Sequence, residues 1–223
     1  VTPAQFQAFA GVSRETLQGF VAYHDLLVKW QARINLIAPT TLPEIWDRHF
    51  ADSAQLFPFL PPDAVRIVDL GSGAGFPGLV LALLARDHAR PIDLHLVESD
   101  GRKAAFLIEA ARLLGLLGQG VVVLAQRAER LAAGPLAGRA DIVVSRALAP
   151  LAVLLTLTAP LLTPAGHALL LKGERADAEC AAARDAGWHF SLASHPSRLP
   201  GGGAVLDITT PAQTLATPAR RLL

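Results

Sequence analysis

Methionine is missing from the 223 residues altogether, cysteine occurs once, and only three of the 20 basic residues are lysine (Lys29, Lys103 and Lys172). A single Cys180 builds neither a disulfide framework nor a thiolate metal centre, which fits a reducing compartment. The seven histidines are scattered, without H-E-x-x-H or comparable spacing, so no metal is expected. No apolar run reaches about 18 residues without a charge or a proline, and no segment has the layout of a signal peptide. Neither a membrane span nor export is expected, and the expected location is cytoplasmic. The lack of methionine leads to the further expectation that an initiator residue has been removed. Nor is there a large excess of charge: the formal net value is +1 and the pI about 8.2, so a nucleic-acid partner would have to use a local basic face. G-x-S-x-G elbows are absent, and nothing marks a Ser/His/Asp triad.

What is present describes a packed globule. Hydrophobic residues make up 52% and charged residues 17%, which excludes a disordered chain. The length suits one full α/β domain with a small extension. Arginine dominates the cations; it suits phosphate recognition, and a coding bias toward arginine and alanine explains it equally well.

The stretch Arg66 to Gly78, RIVDLGSGAGFPG, organises the chain. Ile67, Val68 and Leu70 predict a buried strand, and Asp69 inside it is costly unless something hydrogen-bonds it. Gly71, Gly73 and Gly75 allow a sharp turn with positive φ and close approach of a ligand to the backbone. A helical run follows from Leu79 to Arg86. Strand, glycine loop and helix N-terminus is the arrangement that presents free N–H groups in open α/β sheets. The dinucleotide pattern G-x-G-x-x-G fails, because Phe76 stands where the third glycine would be. An acid before G-x-G-x-G resembles the first motif of Rossmann-like S-adenosylmethionine-dependent methyltransferases.

Ahead of this stretch, Leu17, Phe20, Val21, His24, Leu27 and Val28 have helical spacing, with Ser13 placed to cap. A second helical piece is predicted from Leu42 into RHFADSAQLF. Residues 1–64 therefore read as an N-terminal helical extension, closed by Pro61 and Pro62. Strands are predicted at 66–70, 93–97, 121–124, 141–145, 167–171, 188–193 and 204–209. Helices are predicted at 79–86, 102–114, 127–132, 151–162 and 175–186. A Pro/Gly loop alone joins the last two strands, which predicts an antiparallel hairpin. The expected fold class is α/β, a seven-stranded mostly parallel sheet with one antiparallel strand over residues 65–210, followed by a tail at 211–223.

Candidate site residues sit at strand ends. Glu98 ends the second strand, where an acid can accept from both hydroxyls of a ribose. Ala128 and Glu129 follow the third strand and would lie beside an adenine. Arg146 ends the fourth, where it can pair with a cofactor carboxylate or an RNA phosphate. Lys172 ends the fifth on the same rim. Arg102 and Lys103 begin a helix, where cations oppose the dipole, so an outside anion would explain them. Lys29, Arg33, Arg48 and His49 can form a basic surface on the extension.

Taken together, KWQARINLIAPT, DRHFADSAQL, VDLGSGAGFPG, VESDGRKAAFL, AQRAE, VVSRALAPL and LLLKG resemble the bacterial 16S rRNA guanine-N7 methyltransferase family, also called the glucose-inhibited division protein B family. The resemblance spans roughly residues 22–175. It departs where LLLKG lacks an aromatic or methionine before the lysine, and in the TPARRLL tail. It implies a cytoplasmic enzyme, expected to be monomeric, that uses S-adenosyl-L-methionine to methylate guanine N7 in the 530 loop of 16S rRNA, on the 30S subunit or an assembly intermediate. Carried over, it implies that Gly71, Phe76, Ala128, Glu129 and Arg146 contact the cofactor and that Glu98 takes the ribose place; Asp69, Gly73 and Gly75 of the glycine loop are expected beside them. Guanine N7 loses no proton on methylation, so no general base is expected; Arg146 and Phe76 are candidates for positioning the guanine. RNA would be held by Arg33, Arg48, His49, Arg102, Lys103, Lys172 and Arg198. The alternatives are a methyltransferase for a small molecule and a non-catalytic regulator binding S-adenosylmethionine and RNA; an NAD-dependent oxidoreductase ranks last because of Phe76.

Overall fold

Successive side chains of a strand point to opposite faces, and in this chain both faces are apolar, which requires cover on each side. The computed structural model describes residues 1–201 and 203–214. Its N-terminal part comprises α1 (Pro3–Ala10), α2 (Arg14–Gln31), a 3-10 turn (Pro39–Glu44), a π-helical segment (Trp46–Ala51) leading into α3 (Asp52–Ala54), and a second 3-10 turn (Phe57–Phe59). There follow β1 (Arg66–Leu70), α4 (Gly78–Asp87), β2 (Asp93–Glu98), α5 (Gly101–Leu113), β3 (Val121–Ala125), a 3-10 turn (Ala128–Ala133), β4 (Ala140–Arg146), α6 (Leu151–Thr158), β5 (Leu162–Lys172), α7 (Ala176–Asp185), β6 (Trp188–Pro196) and β7 (Ala204–Gln213).

The seven strands lie in the order β3-β2-β1-β4-β5-β7-β6. β7 runs antiparallel to both β5 and β6, and the other pairs are parallel. After β3 the chain crosses back to the far side of β1, so the C-terminal ends of β1 and β4 flank the switch point where open α/β sheets bind ligands.

Four differences from the sequence expectations have local causes. α1 has no strong apolar stripe; its signal is a capping box, Thr2 with Gln5, and Pro3 in the first turn. The expected helix from Leu42 is broken into 3-10, π and α pieces, with Pro43 inside the first. α6 ends at Thr158 and not at Leu162, because Pro160 has no N–H to continue it. β7 reaches Gln213, so the start of the stretch expected as a tail is strand; residues 215–223 lie outside the described part.

Strand alternation sorts the interior into two layers. Ile67, Leu94, Leu96, Ile142 and Leu169 face α4, α5 and the N-terminal helices. Val68, Leu70, Val143, Ala168 and Leu170 face α6, α7 and the hairpin. Ser13 caps α2 through the Thr16 N–H at 3.1 Å, and the helix then buries Phe20, Tyr23 and Leu27. Phe50 lies at the centre of the first layer, its ring 4.7–6.0 Å from those of Phe6, Phe20, Tyr23, Trp46 and Phe76. Truncation there leaves a cavity walled by elements from both ends of this layer. Phe50→Ala is expected to lower stability by about 3–5 kcal/mol, read from urea unfolding, with the helical and sheet signals still falling in one transition.

Candidate active site

By the same alternation Asp69 points toward α4, on the side of Ile67. Its carboxylate is fully buried, and Oδ2 accepts the Gly78 N–H at 3.0 Å, capping the start of α4 from within the sheet. Gly78 has to be glycine: a Cβ would lie 2.6 Å from Asp69 Oδ2. Oδ1 has no partner among the described residues. Burial, partly offset by the Gly78 N–H, pushes the carboxyl up to about 7.

The loop between β1 and α4 turns through positive φ at Gly71, Gly73 and Gly75. Most of its N–H groups are spent internally, which differs from the expected free donors. Gly71 and Ser72 donate to Val97 O at 3.0 Å, Gly75 to Ser72 O at 2.6 Å, and Gly73 to Glu98 Oε2 at 2.9 Å. From the other side the Tyr23 hydroxyl donates to Ala74 O, and the same hydroxyl sits where a Cβ on Gly75 would go. Gly73 is open, with nothing nearer than 3.8 Å to an added Cβ. Of the three glycines only Gly73 is thus left uncovered, and Asp69 already occupies the first N–H of the helix N-terminus that a pyrophosphate would need.

Glu98, 8% exposed, accepts from Gly73 through one oxygen and from the Asp100 N–H, at 2.8 Å, through the other. Each oxygen retains a lone pair for an incoming hydroxyl. Ala128, half-buried, and Glu129, exposed, begin the turn after β3 on the same side of the sheet. Arg102 and Lys103 need no outside anion: Asp100 caps α5 by accepting both their N–H groups, at 2.8 and 3.2 Å.

Beyond the switch point the π-helical segment closes on Arg146. Its guanidinium donates to Arg48 O at 2.7 Å and to His49 Nδ1, and it lies 3.5 Å from Asp52 Oδ2. His49 Nε2 faces Thr41 Oγ1 at 2.8 Å, and that hydroxyl donates to Ala38 O, so the ring carries its proton on Nε2. Burial, then the Arg146 and Arg48 charges, lower His49 to about 3. Neutral and buried, it brings no positive charge to an RNA, contrary to expectation. Phe76 stacks on His49 at 5.0 Å and on Tyr23 at 5.6 Å, beneath Arg146 at 5.3 Å. At 3% exposure it supports Arg146 and has no free face for a base, which corrects its expected stacking role.

A cavity of about 830 Å³ opens beside these groups, lined among others by Arg48, Asp52, Arg146, Leu148, Lys172 and Arg175. Lys172 is turned inward, its side chain 7% exposed, with Nζ 2.7 Å from Ala149 O and 2.8 Å from Glu179 Oε2. Its charge is already matched, so its expected role as a phosphate contact is withdrawn. Arg33, Arg102, Lys103 and Arg198 do not line the cavity; Arg198 lies over the Phe9 ring at 4.6 Å. Tyr23, Asp52, Leu148, Arg175 and Glu179 were not anticipated. Asp52 follows Arg48 by one helical turn and Arg175 follows Lys172 closely, weak signals that become a site only in the fold.

A family model described as rRNA small subunit methyltransferase G matches residues 16–196. The chain is 52% identical over 204 residues to the ribosomal RNA small subunit methyltransferase G of Rhodospirillum centenum, covering 92% of this chain and 88% of that one. It is 47% identical over 216 residues to the protein of the same name from Paramagnetospirillum magneticum, covering 97% and 99%. Among solved structures, a SAM dependent methyltransferase from Aquifex aeolicus superimposes with a TM-score of 0.57 at 14% identity, over 78% of this chain and all of that one. M. jannaschii TYW2 in complex with AdoMet gives 0.55 at 16%, over 82% and 80%. These two share the fold: a Rossmann-like sheet with one reversed strand.

Asp69 makes stability depend on pH. Its carboxyl titrates at 3.8 when free and at about 7 when folded, so between those values the folded chain keeps a proton that the unfolded chain has lost. The resulting stabilisation is full below the free value and disappears as pH rises through 7. Asp69→Asn, neutral throughout, is expected to lose less stability than the parent between about pH 5 and 8, as measured by denaturant unfolding; parallel profiles would show that Asp69 is not the group responsible.

Proposed function

The chain belongs to the rRNA small subunit methyltransferase G family, and from that premise we propose that it methylates N7 of a guanine in the 530 loop of 16S rRNA. S-adenosylmethionine is the cofactor. One observation carries the assignment of the site: two buried acids, Asp69 and Glu98, flank a glycine loop that is open at Gly73 and whose helix N-terminus is capped from within. Such a bed disfavours a phosphate and suits a cationic nucleoside. We assign the cofactor to Asp69, Gly71, Gly73, Gly75, Glu98, Ala128 and Glu129, with Phe76 and Arg146 bordering it, and the acceptor to the adjoining cavity.

When bound, the cofactor supplies a methyl group activated by its sulfonium. Glu98 can accept hydrogen bonds from ribose hydroxyls, and Gly73 leaves room for the approach. N7 presents an in-plane lone pair and releases no proton, so no residue has to act as a base. The neutral His49, whose Nδ1 is taken by Arg146, is consistent with that economy. Arg146, with Asp52 and Phe76 holding it, forms the cavity wall against which the base is oriented. N7 lies on an edge that A-form RNA keeps in a deep, narrow groove, so the guanine enters unpaired or turned out of its stack.

Exposed Arg48 and Arg175 at the cavity, with Arg33, Arg102, Lys103 and Arg198 farther out, are proposed as phosphate contacts. The enzyme would work in the cytoplasm, as a monomer, on the 30S subunit or an assembly intermediate.

The decisive experiment is to map N7-methylguanine in 16S rRNA from cells with and without the protein, and to transfer labelled methyl from S-adenosylmethionine to 30S particles and to metabolite pools. Label in a small molecule alone would favour another acceptor, and no label at all would favour a regulator. Glu98→Ala is expected to weaken cofactor affinity about tenfold or more, measured by calorimetry. RNA affinity should fall steeply with salt; an affinity indifferent to salt would count against phosphate contacts.

A further inference from the structure

Lys172 and Glu179 lie on β5 and α7, and neither touches the glycine loop. Both are bonded to the short turn that joins β4 to α6. Lys172 Nζ donates to the Ala149 carbonyl and to Glu179 Oε2, and the same Glu179 oxygen accepts the Leu151 N–H at 2.8 Å. One carboxylate oxygen thereby joins the end of β5 to the start of α6. The turn between has little freedom to drift, yet it holds an unfavourable backbone: Ala147 is left-handed at φ +53° although it carries a Cβ. Such conformations persist where the surroundings over-determine them, and they cluster at functional sites.

The consequence of this turn is the position of Leu148. Its Cδ1 would be 2.6 Å from a Cβ on Gly71, so the side chain lies directly over that glycine while also lining the cavity. On the other end of the turn stands Arg146, seated on Asp52 and His49. β4 itself is tied to β1 just before, by Ser145 Oγ donating to Leu70 O at 2.9 Å.

We propose that Lys172 and Glu179 are positioning residues for methyl transfer: together they brace the Ala147–Pro150 turn so that Leu148 forms the wall between the cofactor bed and the acceptor cavity. The proposal rests on the assignment of Gly71 to the cofactor bed. It gives the lysine a role through Ala149 and Glu179, not through RNA phosphate. A brace of this kind acts on alignment, where a displacement of about 1 Å costs on the order of 100-fold in rate. It leaves the counterion release of RNA binding untouched.

The test compares Lys172→Ala, Glu179→Ala, the double variant and Leu148→Ala on 30S particles. Each single variant is expected to lower kcat roughly 10- to 100-fold while KM for the particle and the slope of log affinity against log salt stay at the parent values. The double variant should be no slower than the worse single one, because the two residues form one brace. If Glu179→Ala fails to fold in a thermal scan, Leu148→Ala, an exposed truncation, still has to reproduce the loss in kcat. The proposal is overturned if Lys172→Ala lowers the salt slope by about 0.7, or if Glu179→Ala or Leu148→Ala turns over at the parent rate. Failure of the underlying functional reading would look different, since the parent protein itself would then transfer no methyl to the particle.

Discussion

A carboxylate with no access to water has to find a donor, and the interior of this sheet provides one at the start of a helix. Asp69 accepts the Gly78 N–H, and much else follows from that bond. It draws α4 up against the end of β1, and it leaves the intervening residues only a tight path through three left-handed glycines. It also places an acceptor oxygen at the helix terminus that phosphate-binding folds leave open. The same topology that elsewhere seats a dinucleotide is here closed to pyrophosphate by one side chain. What stays available is the backbone at Gly73, bordered by a second acid, Glu98, which holds the loop from the β2 side through one oxygen and accepts the Asp100 N–H through the other.

The N-terminal helices are part of this arrangement. Tyr23 from α2 holds the loop at Ala74, and the π-helical segment presents Arg48 O, His49 and Asp52 to Arg146. A π turn shifts the usual carbonyl partners by one residue and is common at functional sites. Here an arginine of the sheet takes up one of those carbonyls, so the extension and the switch point are joined by hydrogen bonds as well as by the aromatic cluster around Phe50. The charges inside this joint offset one another. Burial alone would push Asp52 up, and Arg146 opposes it; Arg146 is itself lowered by burial and supported by Asp52. His49 resolves its share by remaining neutral.

Electrostatics therefore divides the basic residues into two kinds. Arg146, Lys172 and the imidazole of His49 are committed to partners inside the protein, where they set geometry. Arg33, Arg48, Arg102 and Arg198 are exposed at the surface. A net charge of +1 gives no hint of this division.

The amino-acid sequence by itself determined the order of elements and the family. Alternating apolar runs, a glycine-rich turn after the first of them and a final Pro/Gly hairpin impose a β-α succession that closes as this sheet, because strand and helix periods are local properties of the chain. Asp69, Gly71 and Glu98 were legible for the same reason: an acid inside an apolar run, a residue needing positive φ and an acid at a strand end are visible without neighbours. Tertiary structure alone decided the direction and partner of each charged side chain. Whether Lys172 meets solvent or Glu179, whether His49 is ionised, and whether Phe76 offers a face or a footing depend on residues 7 to 97 positions apart that only the fold brings together. Burial and long-range pairing fix charge and access, and neither is encoded in the spacing of a single segment.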